Sequence, residues 1–222
     1  MAFDQTGILV SDNWFGALPA EQRRLLLDRA QAHDLRDGVH IYRIGDPPNG
    51  LHVVVDGQVR LVSYPAAGQE LVNMIVKPGR WFGELSVIDG KERPHDAIAA
   101  GTVRLLTVPM PAIAELTEVM PDLWRALALL NCMHHRLGMR EAARVRALPA
   151  LARLALFLAG ARGSAEGRID TTQDELARII GVSRQHMNSL LQQLAERELI
   201  VLVYGGVKLG KRSELLALAD CY

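Results

Sequence analysis

Arg184, Gln185, Asn188, Ser189 and Gln192 recur at intervals that put them on one face of a single helix, and they are residue types that read base edges. An arginine donates two hydrogen bonds to guanine O6 and N7, and a glutamine or asparagine pairs with the adenine edge. The chemistry implied is base discrimination in a DNA major groove. Between them Met187, Leu190, Leu191 and Leu194 supply an apolar opposite face. Upstream, Leu176, Ile180 and Val182 carry the spacing of a second short helix burying the same face at a steep angle. A larger side chain at Ala177 would push the two helices apart. Gly181 offers the positive φ of a tight inter-helix turn, and Ser183 fits as N-cap of the second helix. Residues 172–197, TTQDELARIIGVSRQHMNSLLQQLAE, therefore read as a helix-turn-helix.

Downstream, IVLVYGGVKLGKR predicts a strand, a turn at Gly205-Gly206 and a second strand, the outline of a hairpin wing. Lys208, Lys211 and Arg212 would then lie beside phosphates. The candidate DNA-facing set is Gln173, Ser183, Arg184, Gln185, His186, Asn188, Ser189 and Lys208. Formal charge is zero over the 222 residues, but residues 1–120 carry 11 Lys+Arg against 15 Asp+Glu, and residues 121–222 carry 14 against 10. The half that holds the helix-turn-helix is the basic one.

These elements need a scaffold, and the rest of the chain reads as one. LPAEQRRLLLDRA has Leu18, Leu25 and Leu26 on one helical face. Then VHIYRI, LHVVV, QVRLVSY, ELVNMIV, DAIAA and TVRLLTV alternate with GDPPNG, DG, PAAGQ, KPGRWFGE and the stretch around IDGKERP. Short strands so punctuated predict an antiparallel barrel or jelly roll. From about Pro111 the pattern turns helical. Asp122 to Leu148 contains no proline and predicts one long helix, ended by Leu148-Pro149, before ALARLALFLAGA opens the second domain.

Along the long helix Leu123, Leu127, Leu130, His134 and Leu137 step by four and three. That is the spacing of a coiled-coil seam for a second copy, although a stripe packed on the helix's own barrel has it too. A DNA-reading module tips the expectation toward the dimer, since two-fold proteins read two half-sites. With 49% hydrophobic residues the chain can bury two modest cores. Cys132 and Cys221 are far apart and suggest neither a disulfide framework nor a metal motif, so no metal site is expected. The start, MAFDQTGILV, lacks a basic n-region with a long apolar core, and the expectation is a soluble, cytoplasmic protein. Cys132 with His134 and His135 is the nearest approach to a catalytic or zinc cluster, and no enzyme is expected.

Barrel, long helix, hinge and winged helix-turn-helix, in that order, resemble the cyclic-AMP receptor and fumarate-nitrate regulator (CRP/FNR) family of bacterial transcription factors. The motifs that carry the resemblance are GDPPNGLHVVVDGQVRLV, PGRWFGELSVIDGKERP and the helix-turn-helix segment. The resemblance implies an α+β chain. Residues 1–120 would form a cyclic-nucleotide-binding-like β-roll, 121–148 a dimerisation helix and 149–222 a winged helix-turn-helix. It also implies a homodimer on double-stranded DNA, with RNA polymerase as partner.

By the same resemblance the second motif is a phosphate-binding cassette, whose Gly83, Glu84, Leu85 and Arg93 match. Arg93 would pair with a cyclic phosphate and Glu84 would accept from a ribose hydroxyl. Pro94 departs from the pattern, having neither a hydroxyl nor a backbone N–H, and His95 stands where a small residue is usual. Where responsive members carry Thr-Ser on the long helix this chain has Gly138 and Met139, and no Ser or Thr occurs between Asp122 and Leu148. Cyclic AMP, cyclic GMP, a cyclic dinucleotide or no effector remain open, as does a nucleotide-sensing module that signals through a protein partner.

Overall fold

The computed structural model describes residues 5–66, 69–161 and 167–220. Cys221, the first four residues of MAFDQTGILV and part of the PAAGQ turn lie outside them. The chain divides into two compact units, Met1–Arg136 and Leu137–Tyr222, with the boundary inside the long helix.

In the first unit, three short helices, α1 (Gln5–Val10), α2 (Asn13–Ala17) and α3 (Ala20–Asp28), precede strands β1 (Gln31–Leu35), β2 (His40–Tyr42), β3 (Gly50–Ala66), β4 (Gln69–Val76) and β5 (Trp81–Phe82). Helix α4 (Glu84–Asp89), strand β6 (Asp96–Pro109) and helices α5 (Met110–Val119) and α6 (Asp122–Ala147) follow. The strands form one antiparallel sheet in the order β1-β6-β3-β4, with β2 on β6 and β5 on β3.

Strand predictions split at two points that the structure keeps continuous. LHVVV and QVRLVSY are one strand across Asp56-Gly57, and DAIAA and TVRLLTV are one strand across Gly101. Gly57, at φ 79°, forms a bulge where the register shifts around Asp56, and a Cβ there would stand 2.3 Å from Thr102 O. The backbone bends without reversing. Trp81–Phe82 is a short strand inside the KPGRWFGE segment read as a separator, and Gln31–Leu35 adds a strand ahead of VHIYRI.

Predicted and observed long helices agree to within a residue, but the partner of the apolar stripe does not. Leu123, Leu127 and Leu130 are 0%, 1% and 2% exposed and lie in the unit's own core with Leu9, Trp14, Phe15, Leu26, Trp81, Ile113 and Leu116. Trp14 Nε1 donates to Ala126 O (2.6 Å), and Asp12, which caps α2, holds Arg80 at 2.8 Å. The N-terminal helices thus supply the cover that the spacing was expected to find in a second chain. No helix among the described residues is long and apolar enough to cross a membrane.

The second unit comprises the end of α6, then α7 (Ala150–Gly160), β7 (Arg168–Asp170), α8 (Gln173–Ile180), α9 (Arg184–Glu196), β8 (Ile200–Val203), β9 (Gly206–Leu209) and α10 (Arg212–Asp220). Its three strands pair in the order β7-β9-β8. The hairpin turns at Tyr204-Gly205, one residue earlier than expected, because Gly206 is already paired with Val203 on one side and Asp170 on the other. A Cβ at Gly206 would meet Ile169 O at 2.5 Å, so this glycine serves strand packing while Gly205 (φ 70°) makes the turn.

Candidate effector cassette and DNA-reading face

In the second unit, α8 and α9 pack through Leu176, Ala177, Ile180, Met187, Leu190, Leu191 and Leu194, each 6% exposed or less. Thr172 caps α8 by accepting from Glu175 N. Gly181, at φ 75°, ends it, its N–H returning to Ala177 O at 2.9 Å, and Ser183 caps α9 by accepting from His186 N at 3.2 Å. These local bonds fix the angle between the helices.

Arg184, Gln185, His186, Ser189 and Gln192 are exposed or partly exposed on α9, as are Ser183 just before it and Lys208 on β9. Asn188 accepts from Gln173 Nε2 at 3.3 Å, so these two members of the expected set brace the helices against each other. Arg184 Nε stands 3.4 Å from Asp174 Oδ1, and both side chains are largely exposed. Such a pair is worth at most about 1 kcal/mol and yields readily to a stronger acceptor. Lys211 pairs with Glu214, and Arg212 donates to Ala161 O at 2.6 Å, tying α10 to the end of α7. The sequence reading did not anticipate Asp174 and Gln173 as orienting residues, nor helix α10, which begins at Arg212.

In the first unit, the cassette folds around Arg93. Its backbone is pinned by Arg93 N to Asp46 O (2.8 Å) and Gly45 N to Arg93 O (2.9 Å). The side chain is buried, the residue being 2% exposed. It donates to Gly83 O (2.6 Å), Asn49 Oδ1 (2.6 Å) and Gly50 O (2.7 Å), with the guanidinium carbon 4.2 Å from the Tyr42 ring centroid. Its three acceptors are two carbonyls and an amide oxygen, and burial holds its pKa below the ordinary value. Gly83 (φ 89°) permits this closeness, since a Cβ there would sit 2.9 Å from Arg93 Nη1.

His52 stands behind it, 1% exposed, with Nδ1 2.9 Å from Thr107 Oγ1 and Nε2 3.1 Å from Asn49 Oδ1. Burial, then the neighbouring Arg93 charge, push its pKa well below 6.5. A neutral ring donating from Nε2 to Asn49 Oδ1 and accepting at Nδ1 from the Thr107 hydroxyl fits these two contacts. Burial also raises the Tyr42 phenol above its ordinary range and lowers His95, whose ring lies 5.8 Å from that of Tyr42. Of the other expected residues, Leu85 and Pro94 face solvent, and Glu84 is buried with Oε1 2.8 Å from His134 Nδ1 on α6. The family resemblance groups Glu84 and Arg93 as ligand contacts, and in the structure the two side chains meet different internal partners.

Residues 32–119 match the cyclic nucleotide-binding domain family, and residues 151–218 match the Crp-like helix-turn-helix domain family. The chain is 30% identical to the transcriptional regulator SdrP of Thermus thermophilus, over 78% of this chain and 86% of that one. It is 28% identical to a CRP-like cAMP-activated global transcriptional regulator of Mycobacterium tuberculosis, over 86% of each chain. A solved CRP/FNR-family regulator, also of Thermus thermophilus, superposes with a TM-score of 0.72 at 27% identity, covering 86% of this chain and 98% of the other. Both domain matches fall in family order on the sheet unit and the helix-turn-helix unit, so the protein belongs to the CRP/FNR family of DNA-binding transcription regulators.

Proposed function

We propose that the protein acts as a homodimer in the cytoplasm and binds a two-fold-related DNA site without needing a cyclic nucleotide, cyclic AMP being at best a weak effector. Residues 1–120 serve as the sensor domain, 121–148 as the dimerisation helix and 149–222 as the DNA-binding domain. The observation that carries the nucleotide-independent reading is the engagement of both terminal nitrogens of Arg93 by Gly83 O, Gly50 O and Asn49 Oδ1, with Nε left buried and without a hydrogen-bond partner. A cyclic phosphate would compete with these internal acceptors for the terminal nitrogens, and Pro94 has no N–H to help hold it.

Two or three missing charge-assisted bonds, at about 1.5–3 kcal/mol each, are enough to turn a roughly micromolar site into a millimolar one. Dimerisation is supported by the apolar side chains that α6 leaves at least 42% exposed, namely Trp124, Leu129, Leu137, Met139 and Val145. Arg184, Gln185 and Ser189 contact bases, with Ser183, His186 and Lys208 at the phosphates, and Gln173 and Asn188 hold α9 in place. Activation would add RNA polymerase as a partner. The relatives are regulators, and no catalytic step belongs to this reading.

The test combines operator binding with calorimetry on protein unfolded and refolded to remove bound ligand. Sequence-specific binding without nucleotide is expected, with cyclic AMP changing operator affinity by less than about tenfold. Roughly micromolar cyclic-AMP binding that raises operator affinity about tenfold overturns it.

A further inference from the structure

Glu84 and His134 are 50 residues apart and belong to the cassette turn and the long helix respectively, yet Oε1 and Nδ1 stand 2.8 Å apart. The Glu84 side chain is 7% exposed and that of His134 24%. A buried carboxylate needs a donor, and the cation of its own cassette, Arg93, gives its protons to carbonyls and to Asn49 instead. We propose that the Glu84–His134 bond is an internal latch that ties α6 to the cassette, holding the carboxylate a hydroxyl-bearing ligand would need and fixing the helix without one.

Only a ring protonated at Nδ1 can donate here, so the carboxylate selects that proton position. A ligand hydroxyl that seeks Glu84 Oε1 must then compete with His134 Nδ1 for it. With His134 in place the helix is anchored. A ligand hydroxyl that takes Oε1 from His134 releases the helix turn that carries it, and this differential contact is what a population shift requires. His134 is thus a positioning residue acting through Glu84. For its effect on DNA the proposal rests on the nucleotide-independent reading above.

The full-length wild type is compared with His134→Leu, which keeps bulk and removes the donor, and His134→Asn, which keeps a donor near the Nδ1 position. Glu84→Met, which keeps bulk and removes the acceptor, and the Glu84→Met, His134→Leu double variant complete the cycle. Amide hydrogen exchange is followed over 84–89 and 127–136, together with operator binding in the absence of nucleotide. The latch requires His134→Leu and Glu84→Met each to speed exchange about tenfold in both segments, with the double variant adding nothing and His134→Asn staying near wild type. Operator affinity should fall about three- to tenfold in each single variant. Exchange raised only in the substituted residue's own segment, additive effects, or no change in a folded His134→Leu protein overturns the latch. A wild type that needs nucleotide to bind DNA refutes the functional reading instead, and the exchange data, taken without DNA, still decide the latch.

Discussion

Two of the arginines read as ligands for phosphates or bases, Arg184 and Arg93, meet opposite fates. Arg184 on α9 is exposed, with one weak, solvated carboxylate neighbour, while Arg93 in the cassette is buried with three acceptors and an aromatic ring. A side chain that water already satisfies can exchange water for a base edge at little cost. One whose terminal nitrogens buried carbonyls hold must leave those carbonyls unpaired to turn the same nitrogens toward anything else. The residue type is the same, and the competing acceptors determine whether it is available.

The largest effect expected bears on the long helix, whose two faces repeat the contrast. Leu127→Asp puts a charge in the first unit's own core and should cost more than about 4 kcal/mol, unfolding that unit in urea titration. Trp124→Asp on the exposed face should leave both units folded and shift sedimentation from dimer to monomer. A folded, monomeric Leu127→Asp protein would return Leu127 to the dimer seam.

Next, Arg93→Ala should destabilise the barrel by about 3 kcal/mol, because Gly50 O and Gly83 O are left buried without a donor. Thermal unfolding measures this. A near-neutral change would mean that Arg93 is available to a ligand after all.

Arg184→Ala should leave stability unchanged and cost about 1–3 kcal/mol of operator affinity at one base position. Competition against random DNA checks it, since equal weakening on both would assign Arg184 to phosphate contact.

The smallest effect is on pH dependence. His52 and His95 both have folded pKa values below their ordinary 6.5. The unfolded chain therefore takes up protons that the fold refuses, so their contribution is fully present above pH 6.5 and is lost as pH falls below it. Unfolding midpoints measured from about pH 7.5 down to about 5 should fall, and His52→Gln should flatten the slope. Asp96, lowered despite burial by bonds from Ile44 N, Tyr64 and His40, loses its contribution only below its ordinary 3.8, outside that window.

The amino-acid sequence by itself determined the order of modules, the helix-turn-helix and the face of α9 turned to solvent. Each of these is written in local periodicity, caps and a positive-φ glycine, which involve residues a few positions apart. Gly181, Ser183 and Met187 lie where they were expected for that reason. Only the tertiary structure decided what covers a face once formed. Spacing showed that Leu123, Leu127 and Leu130 need an apolar partner, but a helix stripe is equally satisfied by a second chain or by Trp14 and Phe15 of its own. Arg93 and Glu84 sit in a matching motif, yet Asn49, Gly50 and His134, which engage them, approach from strand and helix neighbours 44, 43 and 50 residues away. Hydrogen bonding is saturable and short in range, so a polar side chain's function is set by whichever acceptor the fold brings within about 3 Å, and no local pattern records that.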